Sequence, residues 1–363
     1  MMVYLVKNWK IFVSVFLLTT LSLLILASLS MNPVDNLDAF YRQLVFFVIA
    51  TVFLIFFAKF DYNLLKNHSF FILGNYFLWN FSLILLLVLS PVTRGTNRWF
   101  DLGFFSLQPV EFVKLALILV LVKFLYRRNL EIWNLKNIII SGIFLGIPSV
   151  LVLLQPDLGP VVAMFLIWLI LLLVCGLRFK HLLIMIVSVS LVAIVGFNFI
   201  LHDYQKNRLI SFLNPNLDPM GLNYNQLQSM ITIGSGRFWG KGLGWGTQTQ
   251  LQYLPETKTD FIFAAISEEL GFLGGTIILG SFLLMFSYFA DALTIAKNNF
   301  SKLIIIGFGV KIFLETVINI GVNVGFLPVV GTALPFISAG GSHLIVDFIM
   351  VGIILNIVNG RNY

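Results

Sequence analysis

Long runs of apolar residues occupy most of this chain, and they constrain its fold more than any other feature. Ten such runs lie at roughly 11–31, 43–58, 69–90, 107–126, 137–154, 159–177, 182–201, 261–290, 303–325 and 340–358. A helix needs about 20 residues to cross a bilayer. The runs are apolar all round, which favours helices over the alternating strands of a transmembrane barrel. The sequence predicts an all-α, polytopic integral membrane protein with about ten transmembrane helices, formed by one domain over 1–363.

Composition excludes most other classes. Of 363 residues, 59% are hydrophobic and only 11% are charged, whereas soluble proteins carry about 25% charged residues. The net charge of +7 comes from basic residues in short gaps between apolar runs, so no nucleic-acid partner is expected. The one cysteine, Cys175, excludes an internal disulfide and a multi-cysteine metal site. The first run has no small-residue cleavage site, so we expect it to be retained rather than removed as a signal peptide.

The basic residues also predict the orientation in the membrane. Lys and Arg are concentrated at the N-terminus, in every second gap and at the C-terminus, while the opposite short loops hold only Arg42, Arg94 and Arg98. Basic residues mark the cytoplasmic side. Both termini are therefore predicted to be cytoplasmic, and a loop of about sixty residues, 202–260, is predicted to lie outside, where a loop of this length is usually functional.

Two pairs of charged residues lie inside apolar runs. Glu111 and Lys114 are three residues apart, and Lys311 and Glu315 are four apart, so each pair shares a helix face. Ionisable groups in a bilayer are costly and tend to face a cavity or a partner. Two interpretations remain open, namely neutralised pairs that lock helices together or the polar lining of a cavity.

The long loop contains GSGRFWGKGLGWG at 234–246. It resembles a phosphate-binding loop only superficially, because Lys241 is followed by glycine rather than Ser or Thr. We interpret it as a tightly turned, membrane-hugging loop whose backbone can approach a ligand.

Asp260 stands at the N-terminal end of the next helical run, within YLPETKTDFIFAAISEELG at 253–271. Thr259 or Asp260 could simply cap this helix. Alternatively, Asp260 is an ionised carboxylate at the outer boundary that acts as a general base or holds a divalent cation. Of Glu268 and Glu269, which point in different directions, one is expected to face the interior.

Proline and glycine interrupt the helical pattern in 323–344, at Pro328, Gly331 and Pro335. Broken helices at membrane depth occur where they are buried in protein or line a cavity. A structural hairpin and a cavity lining are both compatible with this pattern.

These stretches together resemble the SEDS family (shape, elongation, division and sporulation proteins). The matching segments are NRWFDLGFFSLQPVEFVKLALI at 97–118, LLQPDLG at 153–159, RLISFLNPNLDP at 208–219, and the stretches 228–274 and 319–344. The runs GTQTQL at 246–251 and VNVG at 322–325 are similar to the elongation-type members. Ala339, Glu315 and His343 depart from the residues that the family usually has at these positions.

The resemblance implies a peptidoglycan glycosyltransferase that polymerises lipid II at the outer face of the bacterial cytoplasmic membrane. It also implies a class B penicillin-binding protein (a transpeptidase) as partner, within the elongation machinery. Asp260 matches the family's essential acidic residue. The candidate substrate-binding residues are Arg98, Glu111, Lys114, Gln155, Asp157, Arg208, Gln228, Lys241, Glu256, Lys258 and Ser338. Four of these supply the cations expected to bind pyrophosphate: Arg98, Arg208, Lys241 and Lys258. The one cofactor considered is a divalent cation, Mg or Mn, with Asp260 as its candidate ligand.

Two other functions use the same residues. A lipid II flippase would need its charges at mid-bilayer, whereas a polymerase needs them at the outer face, where Asp260 is predicted to lie. A non-catalytic scaffold would not require the intact TDFIF motif at 259–263. Gly321 and Gly325, at GxxxG spacing, are one candidate surface for a single-span partner, although the same motif could pack inside the bundle.

Overall fold

The computed structural model describes residues 8–30, 38–60, 62–89, 98–101, 103, 106–128, 135–187, 206 and 223–360. The first half of the chain forms helices α1 (Trp9–Leu29), α2 (Asp38–Lys59), α3 (Asn63–Asn67), α4 (Ser69–Leu89), α5 (Pro109–Arg127), α6 (Leu135–Leu153) and α7 (Leu158–Val174). The second half forms α8 (Tyr224–Ser235), α9 (Thr247–Gln250), α10 (Ile262–Ile295), α11 (Asn299–Asn323) and α12 (Gly341–Asn359). A two-residue hairpin, β1 (Phe100–Asp101) with β2 (Ser106–Leu107), is antiparallel and precedes α5.

The predicted all-α membrane fold is confirmed. Nine of the ten apolar runs are helices within a few residues of the predicted bounds. Seven of these helices in the described chain are long and apolar enough to cross a membrane: α1, α2, α4, α6, α10, α11 and α12. The remaining run, 182–201, is helical through 187, and its other residues lie outside the described part of the chain.

Burial separates central helices from peripheral ones. Helix α12 has 94% of its most apolar window buried inside the protein, although its composition resembles that of α2, where the corresponding share is 11%. Helix α5 carries charged residues but is buried along nearly its whole length. Gly352 allows α12 to approach α2 closely, since a Cβ there would lie only 2.7 Å from the Leu54 carbonyl oxygen. The core is therefore built around α5, α11 and α12, with α2 and α4 at the periphery.

One end of the bundle collects the segments that the sequence singled out. The N–H of Gln108, just before α5, donates to Ser342 Oγ at the start of α12 (2.9 Å). Asn319, near the end of α11, donates to the Asp260 carbonyl just before α10 (3.0 Å). The starts of α5, α10 and α12 and the end of α11 therefore lie together, and this end is called the site end below.

The described part of the long loop, 223–260, packs against the helices. Ser229 of α8 donates to the Asn323 carbonyl at the end of α11 (3.0 Å). A Cβ on Gly236, just after α8, would overlap the Ser267 carbonyl oxygen of α10. Helix α8 therefore runs from the site end along α11 and α10.

The glycine pair proposed as a partner surface packs against this chain instead. Gly325 lies beyond the end of α11 with φ +85°, so it does not continue the helical face of Gly321. The space beside the two glycines is filled by side chains of Leu327 and Met230. The structure thus favours the second of the two interpretations, packing inside the bundle.

Candidate active site

Two buried carboxylates of α10 anchor the long loop. Glu268 is fully buried and accepts from Lys241 Nζ (2.6 Å), from the Thr249 N–H (3.0 Å) and from the Thr249 hydroxyl (2.8 Å). Glu269, also fully buried, accepts from Gln250 Nε2 (3.1 Å) and from the Ser28 hydroxyl. Both carboxylates face the interior, where the sequence predicted only one. Each is satisfied by charged or polar donors, as a buried charge requires.

The glycine-rich stretch approaches a helix backbone, which corrects the expectation that it approaches a ligand. The N–H of Lys241 donates to the Glu268 carbonyl (3.0 Å), and the N–H of Gly242 donates to the Glu269 carbonyl (2.9 Å). Gly240 has φ +82°, and a Cβ there would overlap the Glu269 carbonyl oxygen. Gly271 has φ +66° at a break inside α10 and lies against Gly240. Glycine is required here because two backbones touch directly.

The start of α10 is capped by another helix. Its N-cap position is Phe261, which has no hydrogen-bonding side chain, so neither Thr259 nor Asp260 occupies the capping position. The Ala264 N–H donates to Asn323 Oδ1 of α11 (3.1 Å). The Thr259 hydroxyl is engaged by Glu256 (3.1 Å to Oε2). The simple capping interpretation of Asp260 is therefore wrong.

Asp260 lines a cavity of about 610 Å³ at the site end. Its Oδ2 faces Gly331, where an added Cβ would lie 3.7 Å away. The proline- and glycine-containing stretch 328–333 forms one wall, so the broken segment lines a cavity. The cavity is lined by these ionisable side chains of the described residues: Arg98, Glu111, Lys114, Asp157, Glu256, Asp260, Glu315 and His343.

A cluster of six buried ionisable groups adjoins the cavity, and four of them line it. It consists of Glu111, Lys114, Lys311, Glu315, His343 and Asp347, and is called the ion cluster below. Lys114 Nζ lies 2.8 Å from Glu111 and 2.5 Å from Glu315. Lys311 Nζ lies 2.8 Å from Glu315 and 2.5 Å from Asp347. Both pairs predicted from helical spacing form, and a shared carboxylate joins them. The two open interpretations are thus both realised, since the pairs lock helices together and line a cavity.

Charge counting explains the presence of histidine in the ion cluster. Three carboxylates and two ammonium groups leave one negative charge, which an imidazolium at His343 balances. His343 Nε2 lies 2.9 Å from Glu315, and Nδ1 lies 3.2 Å from Asp347. Both ring nitrogens lie near carboxylate oxygens, and Nε2 is hydrogen-bonded to Glu315.

Arg98 and Asp157 form an ion pair on the cavity wall. Arg98 Nε lies 3.3 Å from Asp157 Oδ2, and Arg98 also donates to the Pro156 carbonyl (3.1 Å). Asp157 sits in the turn between α6 and α7. Burial raises the pKa of its carboxyl to about 6, although the Arg98 guanidinium lowers it in part. Two residues distant in sequence thus form one charged wall.

Several predicted substrate-binding residues lie elsewhere. Gln155 donates to the Leu83 carbonyl (3.3 Å). Gln228 donates to Gln248, and Lys241 neutralises Glu268. These three are absent from the cavity wall, and their side chains are used within the protein.

Two further predicted residues lie next to the cavity without lining it, and one cannot be located. The Ser338 hydroxyl donates to the Thr259 carbonyl (2.7 Å) and accepts from the Leu334 N–H (2.8 Å), which uses it for structure. Lys258 contributes its carbonyl to the same region through the Ala339 N–H (2.9 Å). Arg208 lies outside the described residues.

Sequence reasoning missed Asp347 and the two asparagines Asn319 and Asn323. His343 was noted only as a departure from the usual residue. Asp347 is an acidic residue in an apolar run, four residues after His343, and this i,i+4 spacing could have identified it. The asparagines carried no such signal, because their partners lie on other helices.

Comparison with known proteins shows the family. Residues 8–363 match the family model of the FtsW, RodA and SpoVE cell cycle proteins. Peptidoglycan glycosyltransferase MrdB of Escherichia coli K12 is 38% identical over 272 residues, which cover 75% of this chain and 73% of that protein. A probable peptidoglycan glycosyltransferase FtsW of Coxiella burnetii is 37% identical over 355 residues, which cover 94% and 93%.

A solved structure shares the fold over the whole chain. A chain from a peptidoglycan synthase complex that coordinates polymerization and crosslinking is 26% identical, with a TM-score of 0.80 and 98% of each chain covered. This protein therefore belongs to the FtsW/RodA/SpoVE family of polytopic membrane proteins, and the resemblance found in the sequence is confirmed.

Proposed function

We propose that this protein is a peptidoglycan glycosyltransferase of the elongation type, which polymerises lipid II into glycan strands. The observation that carries the proposal is the position of Asp260 on the wall of the 610 Å³ cavity, beside a buried cluster of fixed charges. Two relatives with at least 37% identity are named peptidoglycan glycosyltransferases. A cavity with convergent ionisable groups is the usual form of an active site.

In this proposal Asp260 acts as the general base. The Asp260 carboxylate takes the proton of an acceptor sugar hydroxyl, whose oxygen forms the new glycosidic bond at C1 of the donor sugar. The bond between that carbon and the diphosphate oxygen breaks, and the polyprenyl diphosphate leaves with the electron pair. Arg98, on the cavity wall, offers a charge-assisted donor to the diphosphate.

The charge of the cavity supports a divalent cation as part of the proposal. Among the described residues of the wall, three cationic side chains, Arg98, Lys114 and the His343 imidazolium, face five carboxylates: Glu111, Asp157, Glu256, Asp260 and Glu315. A diphosphate entering such a wall meets net negative charge. Carboxylate oxygens are the ligands that Mg and Mn prefer. The donors fit this role, and Asp260 with Glu256 would hold the ion. When bound, it would neutralise the leaving diphosphate.

A second group of possible ligands is less suitable. Atoms of Glu111, Glu315 and His343 lie within 4.8 Å of one another. However, Lys114 and Lys311 already pair with Glu315 at 2.5 Å and 2.8 Å. These ammonium ions supply the positive charge that a metal would otherwise bring. The cation is therefore proposed at the Asp260 side of the cavity.

We propose that the cavity lies in the outer half of the membrane and that both termini lie in the cytoplasm, as the basic residues predict. Glu111 and His343 are each two residues from the start of their helices, about 3 Å deep at about 1.5 Å per residue. The backbone of Lys311 lies about 18 Å from the end of α11 by the same count, but its ammonium group lies 4.0 Å from Glu111 and so belongs to the same cluster. A lipid II flippase, the rival function, would use this cluster as part of a polar path.

The proposed partner is a class B penicillin-binding protein. The structural relative in a peptidoglycan synthase complex, which couples polymerization to crosslinking, supports this. The partner and lipid II would both reach the protein within the membrane.

The test is incubation of purified protein with labelled lipid II and Mg²⁺ or Mn²⁺, with and without the partner. We expect glycan polymer from the native protein, none from Asp260→Asn, and loss of polymer on chelation that added Mg²⁺ or Mn²⁺ restores. Polymer from Asp260→Asn at the native rate would refute the base assignment. Transport of fluorescent lipid II across proteoliposomes without any polymer would favour the flippase.

A further inference from the structure

The turn that precedes α10 is held through its backbone carbonyls by one neighbouring stretch of chain. The Lys258 carbonyl accepts from the Ala339 N–H (2.9 Å). The Thr259 carbonyl accepts from the Ser338 hydroxyl (2.7 Å). Two successive carbonyls are thus bound to two adjacent residues about eighty positions further along the chain.

The third carbonyl in the row has two donors. The Asp260 carbonyl accepts from Asn319 Nδ2 (3.0 Å) and from Asn323 Nδ2 (2.9 Å). The two asparagines are four residues apart on α11, so both side chains lie on one face of that helix. They are almost completely buried, with 1% and 0% exposure. Buried hydrogen bonds of this kind fix geometry because water is not available as an alternative partner.

The two asparagines also connect this turn to its surroundings. Asn323 accepts from the Ala264 N–H through Oδ1 (3.1 Å), so one amide holds the backbone before and after the start of α10. Asn319 donates to the Thr332 carbonyl (2.7 Å), in the cavity wall that faces the Asp260 carboxylate across Gly331. Asn319 therefore holds both the backbone of Asp260 and the wall segment at Thr332 that lies near the Asp260 carboxylate.

We infer that Asn319, Asn323 and Ser338, here called the carbonyl clamp, are positioning residues that hold the backbone of Asp260 and so keep its carboxylate directed into the cavity. None of the three lines the cavity, so the clamp acts through Asp260. The inference rests on the proposed role of Asp260 as the base. A catalytic group displaced by about 1 Å can lose about 100-fold in rate.

The decisive variant is Asn323→Ala, and the chain offers a matched control. Asn356 is also a buried asparagine on a long helix, and it donates to the Phe57 (3.3 Å) and Ala58 (3.0 Å) carbonyls away from the site end. With labelled lipid II, Asn323→Ala should lower kcat about 10- to 100-fold while KM changes less than about threefold. Asn356→Ala should lose similar thermal stability and keep its kcat.

Hydrogen exchange gives a readout that does not depend on activity. In Asn323→Ala, amides at the start of α10, Ala264 above all, should exchange faster, whereas Asn356→Ala should leave them unchanged. Should Asn323→Ala fail to fold, Ser338→Ala tests the same clamp through the Thr259 carbonyl, with the same expected fall in kcat.

The outcomes separate the two proposals. A folded Asn323→Ala or Ser338→Ala with normal kcat, alongside an inactive Asp260→Asn, would overturn the clamp and leave the base assignment intact. An active Asp260→Asn would overturn the base assignment, and the exchange rates at Ala264 would then decide whether the clamp exists. Equal losses of kcat in Asn323→Ala and Asn356→Ala would show that the loss follows from general destabilisation, and would overturn the clamp.

Discussion

Removing the ammonium of Lys311 tests whether the ion cluster behaves as one buried unit. Lys311 is fully buried, and its Nζ lies 2.5 Å from Asp347, 2.8 Å from Glu315 and 4.0 Å from Glu111. Lys311→Met keeps the length of the side chain, removes the nearest ammonium group from Asp347 and leaves Glu315 with Lys114 as its only ammonium partner among the described residues. Breaking a buried ion pair from one side costs about 3–5 kcal/mol, a large part of a typical folding stability of about 5–15 kcal/mol.

A double variant of Lys311 and Asp347 measures the coupling energy between the two charges. Asp347→Asn alone leaves Lys311 with excess positive charge and should cost a similar amount. Lys311→Met with Asp347→Asn removes one charge of each sign, so the net charge of the cluster is unchanged. We expect the double variant to cost about 1–3 kcal/mol less than the sum of the single losses.

An exposed pair of nearly equal length serves as the control. Lys10 Nζ lies 2.6 Å from Asp291, but the two side chains are 30% and 56% exposed. Solvent screens such a pair, so Lys10→Met should cost about 0–1 kcal/mol. The assay is equilibrium unfolding in mixed micelles, followed by tryptophan fluorescence. The reasoning fails if Lys311→Met costs no more than Lys10→Met, or if the Lys311 and Asp347 losses simply add.

Three further predictions concern the loop, a wall residue and the orientation. Gly240→Ala should destabilise the protein by about 1–3 kcal/mol, because φ at Gly240 is +82° and an added Cβ would overlap the Glu269 carbonyl. Gly74→Ala, at a glycine with open space beside it, should not destabilise the protein. Equal effects of the two substitutions in thermal unfolding would contradict this prediction. Burial raises the pKa of the Asp157 carboxyl to about 6, so the folded state binds this proton more tightly than the unfolded state does. The free energy of unfolding should therefore fall as pH rises from about 4 to about 6. The melting temperature of Asp157→Asn should lack this dependence on pH. The predicted orientation places Tyr253 outside the cell and Lys297 in the cytoplasm. In a variant without the native cysteine, Tyr253→Cys should therefore react with an impermeant maleimide in intact spheroplasts, and Lys297→Cys should not. The reverse labelling pattern would show the opposite orientation.

The sequence predicted what depends on spacing within one helix. Apolar runs of about 20 residues predict membrane helices because length and hydropathy are properties of a local segment. The pairs Glu111–Lys114 and Lys311–Glu315 were predicted because positions three or four apart share a face. Lys114 nevertheless lies nearer to Glu315 (2.5 Å) than to Glu111 (2.8 Å). A mutant cycle on Glu111 and Lys114 alone would therefore not isolate one pair.

Contacts between helices were beyond the sequence argument. Lys241 was assigned to a diphosphate because it is basic and lies in the long loop, but its partner is Glu268, 27 residues away. The glycines around it correctly indicated a close backbone approach and could not indicate to what. The spacing of residues along a helix predicts which of them share a face. Which faces come into contact depends on how the helices and loops pack.

The placement of these contacts divides the long loop by role. Residues 234–250 are used inside the protein, because Lys241 and Thr249 satisfy Glu268 and the glycines fit against α10. At the end of the loop, Glu256, Thr259 and Asp260 reach the cavity wall. Substitutions in 234–250 should therefore act first on stability and on the fixed shape of the loop. Substitutions in 256–260 should act first on turnover, because Glu256, Thr259 and Asp260 lie on the wall of the space in which a substrate would lie.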